Sequence, residues 1–265
     1  MPSYLITGAT RGIGFELTRQ LLSKPLSSDA LVFATHRSAA PSPELQALAA
    51  GARGRVYPVK LDVGSAVQVQ AAAAEVSRVL TEKGHEGLDV LVNNAGVQQL
   101  DESVGVEELC LTRVLGTNVV GVQIVTQAFL PLLRKGREKK IFNISSGAAS
   151  MTLSAARIAP SASTDTTRDN TPGYRVSKTA LNSLTVQWAQ ALADEGFTVV
   201  ALDPGWLRTD MGGAKAPLEV GVGVEGIVRL LGEGEGGVGR GDTGRYLKVS
   251  GRVLFGDSWG GRGHG

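Results

Sequence analysis

Cysteine is nearly missing from this chain: among 265 residues only Cys110 carries a thiol. No disulfide can form within the chain, and the Cys/His groupings of a metal site are lacking. Cys110 sits in a helix-like stretch and reads as a small apolar group. Net charge is also slight, at +2, so charge alone makes no case for a nucleic-acid surface. No apolar run is expected to reach the length of a membrane span. The first residues lack the basic, apolar and small-residue succession of a signal peptide, so a cytoplasmic location is expected. There is no composition shift of the kind that separates two cores. A hydrophobic share of 42% therefore suits a single domain over 1–265.

Glycine, by contrast, is concentrated where chemistry needs it. Thr7-Gly8-Ala9-Thr10-Arg11-Gly12-Ile13-Gly14 follows a short apolar run and precedes apolar residues at helical spacing. That order is strand, turn, helix. Gly8 lets the backbone bend without a Cβ clash. Gly12 and Gly14 leave room for a pyrophosphate at the amides of a helix N-terminus. The spacing is G-x-x-x-G-x-G, not the usual G-x-G-x-x-G.

Further along, strand-like runs at 4–7, 31–35, 56–61, 88–92, 140–145, 197–202 and 245–249 alternate with helical patterns. Helices are expected at 12–23, 44–50, 65–83, across most of 106–135 with a kink at Pro131, and at 174–193 and 219–231. The alternation predicts an α/β fold of the Rossmann type: a doubly wound parallel sheet of about seven strands with helices on both faces. Residues 147–173 read as mostly loop and 232–244 as a mobile loop, with Arg240-Gly241-Asp242 as turn chemistry. The tail from 259 to 265 is expected to fray.

In NAD sites a carboxylate about 20 residues beyond the glycine turn accepts from the ribose 2′-hydroxyl. Here no Asp or Glu lies between Asp29 and Glu44, and Arg37 occupies that place. Arg11 lies inside the turn itself. Two guanidinium groups can fork onto a 2′-phosphate, which points to NADP(H).

Tyr174 and Lys178 stand four apart, on one side of a helix. For Tyr to exchange a proton near neutral pH, its pKa must fall by about three units, which takes roughly 4 kcal/mol. An ammonium ~5 Å away supplies about 3 kcal/mol at an effective dielectric near 20. Lys178 is thus expected to do most of the lowering. Ser145 and Ser146 end the fifth strand, at the edge where ligands bind in such sheets. Asn118 lies mid-helix, where Asn is disfavoured and needs a reason.

With these residues on the page, the chain resembles the short-chain dehydrogenase/reductase family over nearly its whole length. The resemblance is carried by Thr7–Gly14, Asp62-Val63, Asn93–Gly96, Asn118, Ser146, Tyr174 with Lys178, and Pro204-Gly205 with Thr209. It implies a tetrad of Asn118, Ser146, Tyr174 and Lys178. In that tetrad Tyr174 is the acid/base, Ser146 orients the carbonyl, Lys178 also holds the nicotinamide ribose, and Asn118 supports a water. The family pattern Asn-x-Ser-Ser favours Ser146 over Ser145. Asp62 and Val63 would flank adenine. Asn93, Ala95 and Gly96 would line the ribose side. Pro204, Gly205, Leu207 and Thr209 would hold the nicotinamide. The stretch 203–213 is similar to a branch of small carbonyl reductases that includes sniffer and C-factor-like proteins and fungal ketoreductases of the norsolorinic acid type.

One departure stands out: Ser146 and Tyr174 are 28 positions apart (174 − 146), wider than the family norm. Residues 147–173 are therefore expected to bulge from the mouth of the site as an insertion, with Trp206 and Met211 as a facing wall. The expected activity is NADPH-dependent reduction of a ketone or aldehyde, with a small-molecule carbonyl as the partner. Two alternatives are a non-catalytic NADP-sensing protein on the same fold and an alcohol dehydrogenase working mainly in oxidation. Family members pair through the helices at 106–135 and 174–193, so the resemblance also implies a homodimer, which the insertion is placed to obstruct.

Overall fold

A computed structural model describes residues 2–23, 30–99, 108–155, 171–232, 236–250 and 252–255. Seven strands run parallel: β1 (Ser3–Ile6), β2 (Leu31–His36), β3 (Val56–Lys60), β4 (Val90–Asn93), β5 (Lys140–Ile144), β6 (Thr198–Asp203) and β9 (Tyr246–Ser250). Their order across the sheet is β3-β2-β1-β4-β5-β6-β9, with β10 (Arg252–Phe255) added antiparallel at the β9 edge. Parallel neighbours need crossovers, and the helices supply them.

The core forms two layers because strand side chains alternate between faces. Ile6, Val32, Val92, Phe142 and Val200 point to one side, against α1 (Gly12–Ser23) and α8 (Val220–Leu231). Leu5, Phe33, Leu91, Ile141 and Val199 point to the other. There they meet α3 (Ala66–Glu82), α5 (Gly121–Lys135) and α7 (Pro172–Ala191). Strands covered on both faces read as near-continuous apolar runs, and β4 and β6 do so here. The remaining helices are α2 (Pro43–Gly51), α4 (Glu108–Leu115) and α6 (Met151–Ala155).

Several expectations need correction. The continuous helical run Cys110–Lys135 is long and apolar enough, by length and composition, to cross a membrane. Of this run, Cys110, Val114, Val125, Phe129 and Leu133 are buried within the fold, and Val120 is exposed. Residues 147–155 form a 3-10 turn (Gly147–Ala149) followed by α6 instead of open loop. The rest of the insertion, 156–170, lies outside the described residues, as does the tail from 259 to 265. In the stretch expected to be mobile, Val238 is buried and its N–H bonds Leu230 O at 3.0 Å. A distant apolar cluster captures it, which local glycine content does not reveal. Arg240–Asp242 forms a 3-10 turn whose Asp242 carboxylate accepts from the Gly239 N–H.

Beyond β6 the chain makes two short strands, β7 (Leu207–Arg208) and β8 (Leu218–Glu219), paired with each other. They close a loop that leans over the carboxyl ends of the main sheet. The reversal of strand order falls between β1 and β4, and the crevice above that point is where ligands bind in sheets of this kind.

Candidate active site

The glycine turn and the segment after β4 are locked into one unit. Gly8 has φ +68, and a Cβ on it would lie 3.0 Å from Ala95 Cα. A side chain there would have to adopt a left-handed backbone and push the neighbouring segment away. A Cβ on Gly14 would lie 2.5 Å from Gly8 O, so the helix start can approach the turn only as glycine. Asn94 Nδ2 donates to Thr7 O and Gly8 O, at 2.8 and 3.1 Å. Thr7 Oγ1 accepts from the N–H groups of Asn94 and Ala95, both at 2.9 Å. Asn94 is thus the clasp, a role that sequence reading did not assign to it.

The other side of the turn faces the loop after β6. Where Gly12 Cβ would stand, Thr209 Cγ2 is 3.6 Å away and no backbone comes within 4 Å. Arg11 and Asp210 form an ion pair at 3.1 Å, with both side chains more than 70% exposed (78% and 73%). Ile13 packs below, against the core. The first N–H groups of any helix lack intrahelical partners, and those of α1 face this gap. At the end of β2, Arg37 is exposed. Ser42 caps α2, and its hydroxyl also donates to Thr10 O at 3.3 Å, so α2 begins beside the turn. His36 is buried, with Nδ1 3.1 Å from Ser38 O.

Asp62 Oδ1 accepts from the Gly64 N–H at 2.9 Å, which forms the turn after β3. Val63 packs against Gly121, where a Cβ would come within 2.9 Å of it. Asn93 departs from expectation. Its Nδ2 donates to Thr126 Oγ1 and Asn143 Oδ1, at 3.1 and 2.8 Å, beneath α5. The side chain points into the core because β4 alternates, so only its backbone borders the crevice. Leu207 likewise turns its side chain under α8, against Gly223. Pro204 is buried at the same junction, and the Gly205 N–H bonds the Asp203 carboxylate.

At the reacting end, a π-helical turn (Gly116–Val120) interrupts the helical run and carries Asn118, which is fully buried. Such turns recur at functional sites because the extra residue re-aims side chains. Asn118 Oδ1 accepts from the Val97 N–H, while Nδ2 donates to Val97 O and to Ser177 Oγ, at 2.9 to 3.0 Å. A Cβ on Gly96 would stand 3.3 Å from Asn118 Oδ1 and 3.7 Å from Lys178 Nζ. The floor of the crevice is therefore polar and close-fitting.

Two serines end β5 and diverge. Ser145 turns away, donating to Asn182 Oδ1 at 2.6 Å. Ser146 faces the site and shares a hydrogen bond with the Tyr174 hydroxyl. Lys178 is buried and donates to Ile144 O at 2.7 Å, with Nζ 5.6 Å from the Tyr174 ring centre. Four residues of helix thus bring amine and phenol together.

The electrostatics run against the sequence expectation. Burial pushes the Tyr174 phenol up to about 12, opposed by the Ser146 hydrogen bond and reinforced by the Asp203 charge. Loss of water also brings Lys178 down to about 8. Spacing alone said nothing about how dry the pair is. Desolvation penalises both charged forms.

Trp206 is partly buried, with its indole N–H on Gly212 O at 2.8 Å, and Met211 is exposed. The described part of the insertion contributes Met151 and Leu153, both exposed on α6. Arg175 on α7 reaches Ser154 of α6 at 3.4 Å, which draws α6 against the helix that carries Tyr174.

Comparison with known proteins gives a consistent picture. The family described as short chain dehydrogenase matches residues 3–219. A short-chain dehydrogenase of Penicillium roqueforti, anuI, is 31% identical over 235 residues, covering 88% of this chain and 89% of its own. Among solved structures, NADPH-bound carbonyl reductase from chicken fatty liver superposes with a TM-score of 0.81 at 32% identity. The match covers 96% of this chain and 99% of that one. Carbonyl reductase Sniffer of D. melanogaster also gives 0.81, at 29% identity and the same coverage.

Proposed function

Because the chain belongs to the short-chain dehydrogenase/reductase family, and so to a family of oxidoreductases, we propose that it is an NADPH-dependent carbonyl reductase with Tyr174 as proton donor. The observation that carries this reading is the convergence of Ser146, Tyr174 and Lys178 beside a glycine turn with an open helix N-terminus. The reduced nicotinamide, when bound, supplies the hydride.

The residues around the crevice fit such a nucleotide. The α1 N-terminus and the bare face of Gly12 suit a pyrophosphate. Arg11, Thr10, Arg37 and the start of α2 form a cationic rim for a 2′-phosphate. The Arg11–Asp210 pair is an exposed ion pair and contributes at most about 1 kcal/mol, so Arg11 can turn to a phosphate at little cost. Asp62 and Val63 border the adenine side, and Ala95, Gly96 and Lys178 the ribose side. Pro204, Gly205 and Thr209 edge the nicotinamide end, with Leu207 contributing backbone.

Ser146 and Tyr174 would both donate to the carbonyl oxygen and so stabilise the negative charge that grows on it. Tyr174 then gives up its proton. Lys178, held in place by Ile144 O, faces the phenolate that is left. Asn118 ties the π-helical turn to the strand β4 exit and to α7, which keeps Lys178 and Gly96 in register.

Replacing Arg37 by Ala is expected to weaken NADPH binding about tenfold or more while leaving NADH binding unchanged. That loss corresponds to one charge-assisted hydrogen-bonding group. Titration of both nucleotides by calorimetry checks it, and equal losses for the two would contradict the assignment.

The pH dependence has a definite sign. A phenol held up near 12 is protonated at neutral pH, the form that reduction consumes. Reduction with NADPH is expected to stay level up to about pH 7 and to decline as pH rises through about 8, where Lys178 loses the charge that faces the phenolate, although the phenol itself is still protonated there. Oxidation of the product alcohol needs the phenolate and is expected to climb with pH. Initial rates in both directions against a panel of ketones and aldehydes test the pH profile and the activity together. No NADPH consumption with any carbonyl would refute the reading.

A further inference from the structure

A fully buried hydroxyl joins the two helical segments of the site, with no part in the scheme above. Ser177 stands on α7 between Tyr174 and Lys178. Its partners are forced by the chemistry of the groups around it. The Val97 N–H, at 2.9 Å, must meet an oxygen, which fixes Asn118 Oδ1 on that side. Asn118 Nδ2 then faces Val97 O and Ser177 Oγ, at 2.9 and 3.0 Å, and can only donate. The Ser177 hydroxyl therefore accepts from Asn118 and keeps its own proton for one acceptor. That acceptor is the Tyr174 carbonyl oxygen, 2.7 Å away. Donation runs in one direction, from Val97 on the crevice floor through Asn118 and Ser177 to the main chain of Tyr174. Bonds aligned in this way polarise and strengthen one another.

Tyr174 needs such an anchor. It sits in the first turn of α7, where the opening N–H groups lack intrahelical partners. Thr171, at the N-cap, makes no side-chain cap bond. In sequence Tyr174 is 28 positions from Ser146 (174 − 146), so no short connection fixes the phenol against the serine. We propose that Ser177 is a positioning residue: its hydroxyl ties the Tyr174 main chain to Asn118 and so holds the phenol where it meets the carbonyl oxygen. The proposal rests on the reading of Tyr174 as proton donor. Lys178, the next residue, is held separately, by Ile144 O at the end of β5. Ser177 thus places the acid, and Ile144 places the amine. Precision matters here, because a misplacement of about 1 Å can cost about a hundredfold in rate.

Ser177→Ala takes this partner from both Asn118 Nδ2 and Tyr174 O. The kcat for ketone reduction with NADPH is expected to fall about tenfold or more, while KM and NADPH affinity stay within about twofold. Ser177→Cys fills similar space with a weak donor and weak acceptor, and is expected to lose as much. Ser177→Thr keeps the hydroxyl and is expected to stay within about threefold of the natural chain. The decisive comparison is made on Tyr174→Phe by single-turnover rates. There Ser177→Ala is expected to cost nothing further, because the hydroxyl it positions is gone. A merely structural role would slow both backgrounds alike. Full turnover in Ser177→Ala, or an equal further loss on Tyr174→Phe, overturns the proposal. Should Ser177→Thr fail to fold, the Ala, Cys and double variants decide alone. Turnover retained by Tyr174→Phe itself would remove the proposed function and leave the positioning role to a second readout. The ring resonance of Tyr174, assigned by its loss in Tyr174→Phe, is expected to shift in Ser177→Ala, and a resonance that stays in place overturns the role without reference to turnover.

Discussion

Tyr174→Phe is expected to lower the rate of carbonyl reduction by about a thousandfold, within the range general acid catalysis contributes. NADPH affinity should change little. The substitution deletes one hydroxyl, and that hydroxyl is the group that shares a hydrogen bond with Ser146. The ring remains to fill its place against Lys178, so the fold has no reason to shift. Without the phenol, Ser146 alone donates to the carbonyl oxygen, and a serine hydroxyl is a far weaker acid than a phenol. Single-turnover rates with a ketone substrate separate this loss of chemistry from any loss of binding. Activity within tenfold of the natural chain would mean that the proton comes from elsewhere.

Lys178→Met is expected to have two effects of opposite value: turnover falls by at least a hundredfold, and the folded state becomes more stable at neutral pH. Burial brings the Lys178 pKa from 10.5 down to about 8. At about 1.4 kcal/mol per pKa unit, the folded chain carries a cost of about 3 kcal/mol for keeping this amine charged. Methionine fills similar space without a charge but leaves Ile144 O unpaired, which returns about 1 kcal/mol. The net gain is about 2 kcal/mol. The pH window follows from the sign of the shift. The folded pKa lies below the unfolded one, so the cost is complete below pH 8 and is relieved as pH rises from 8 to 10.5. Urea unfolding at pH 7 and pH 10 checks both parts, because the advantage of the variant should shrink between them. A variant less stable than the natural chain at pH 7 would show that Lys178 is structural. The turnover loss follows from the phenolate left by proton transfer, which would then face no cation.

Much of this site is legible in the sequence, for a physical reason. The glycine turn, Tyr174 with Lys178, and the two serines depend on spacings within one turn or one helical repeat, and such spacings survive folding unchanged. What could not be read depends on contacts between distant segments. Asn93 sits in a run that borders the crevice, yet strand alternation sends its side chain under α5 to Asn143. Asn94, its neighbour in the Asn93–Gly96 motif, is the residue that holds the turn, a contact that spacing does not show. Strands β7 and β8 have two residues each, too few to display a period. Strand β10 is hidden from the sequence for a different reason: it pairs back on β9 as an antiparallel edge, outside the alternation of strand and helix.

Local order along the chain, then, settled which residue types would meet and roughly where: a parallel sheet, a bare turn at its reversal point, and a phenol one helical turn from an amine. Folding alone decided their protonation, since Tyr174 and Lys178 are stripped of water by segments distant in sequence. Charge responds to everything that displaces water, and no neighbour in sequence records how much water has gone.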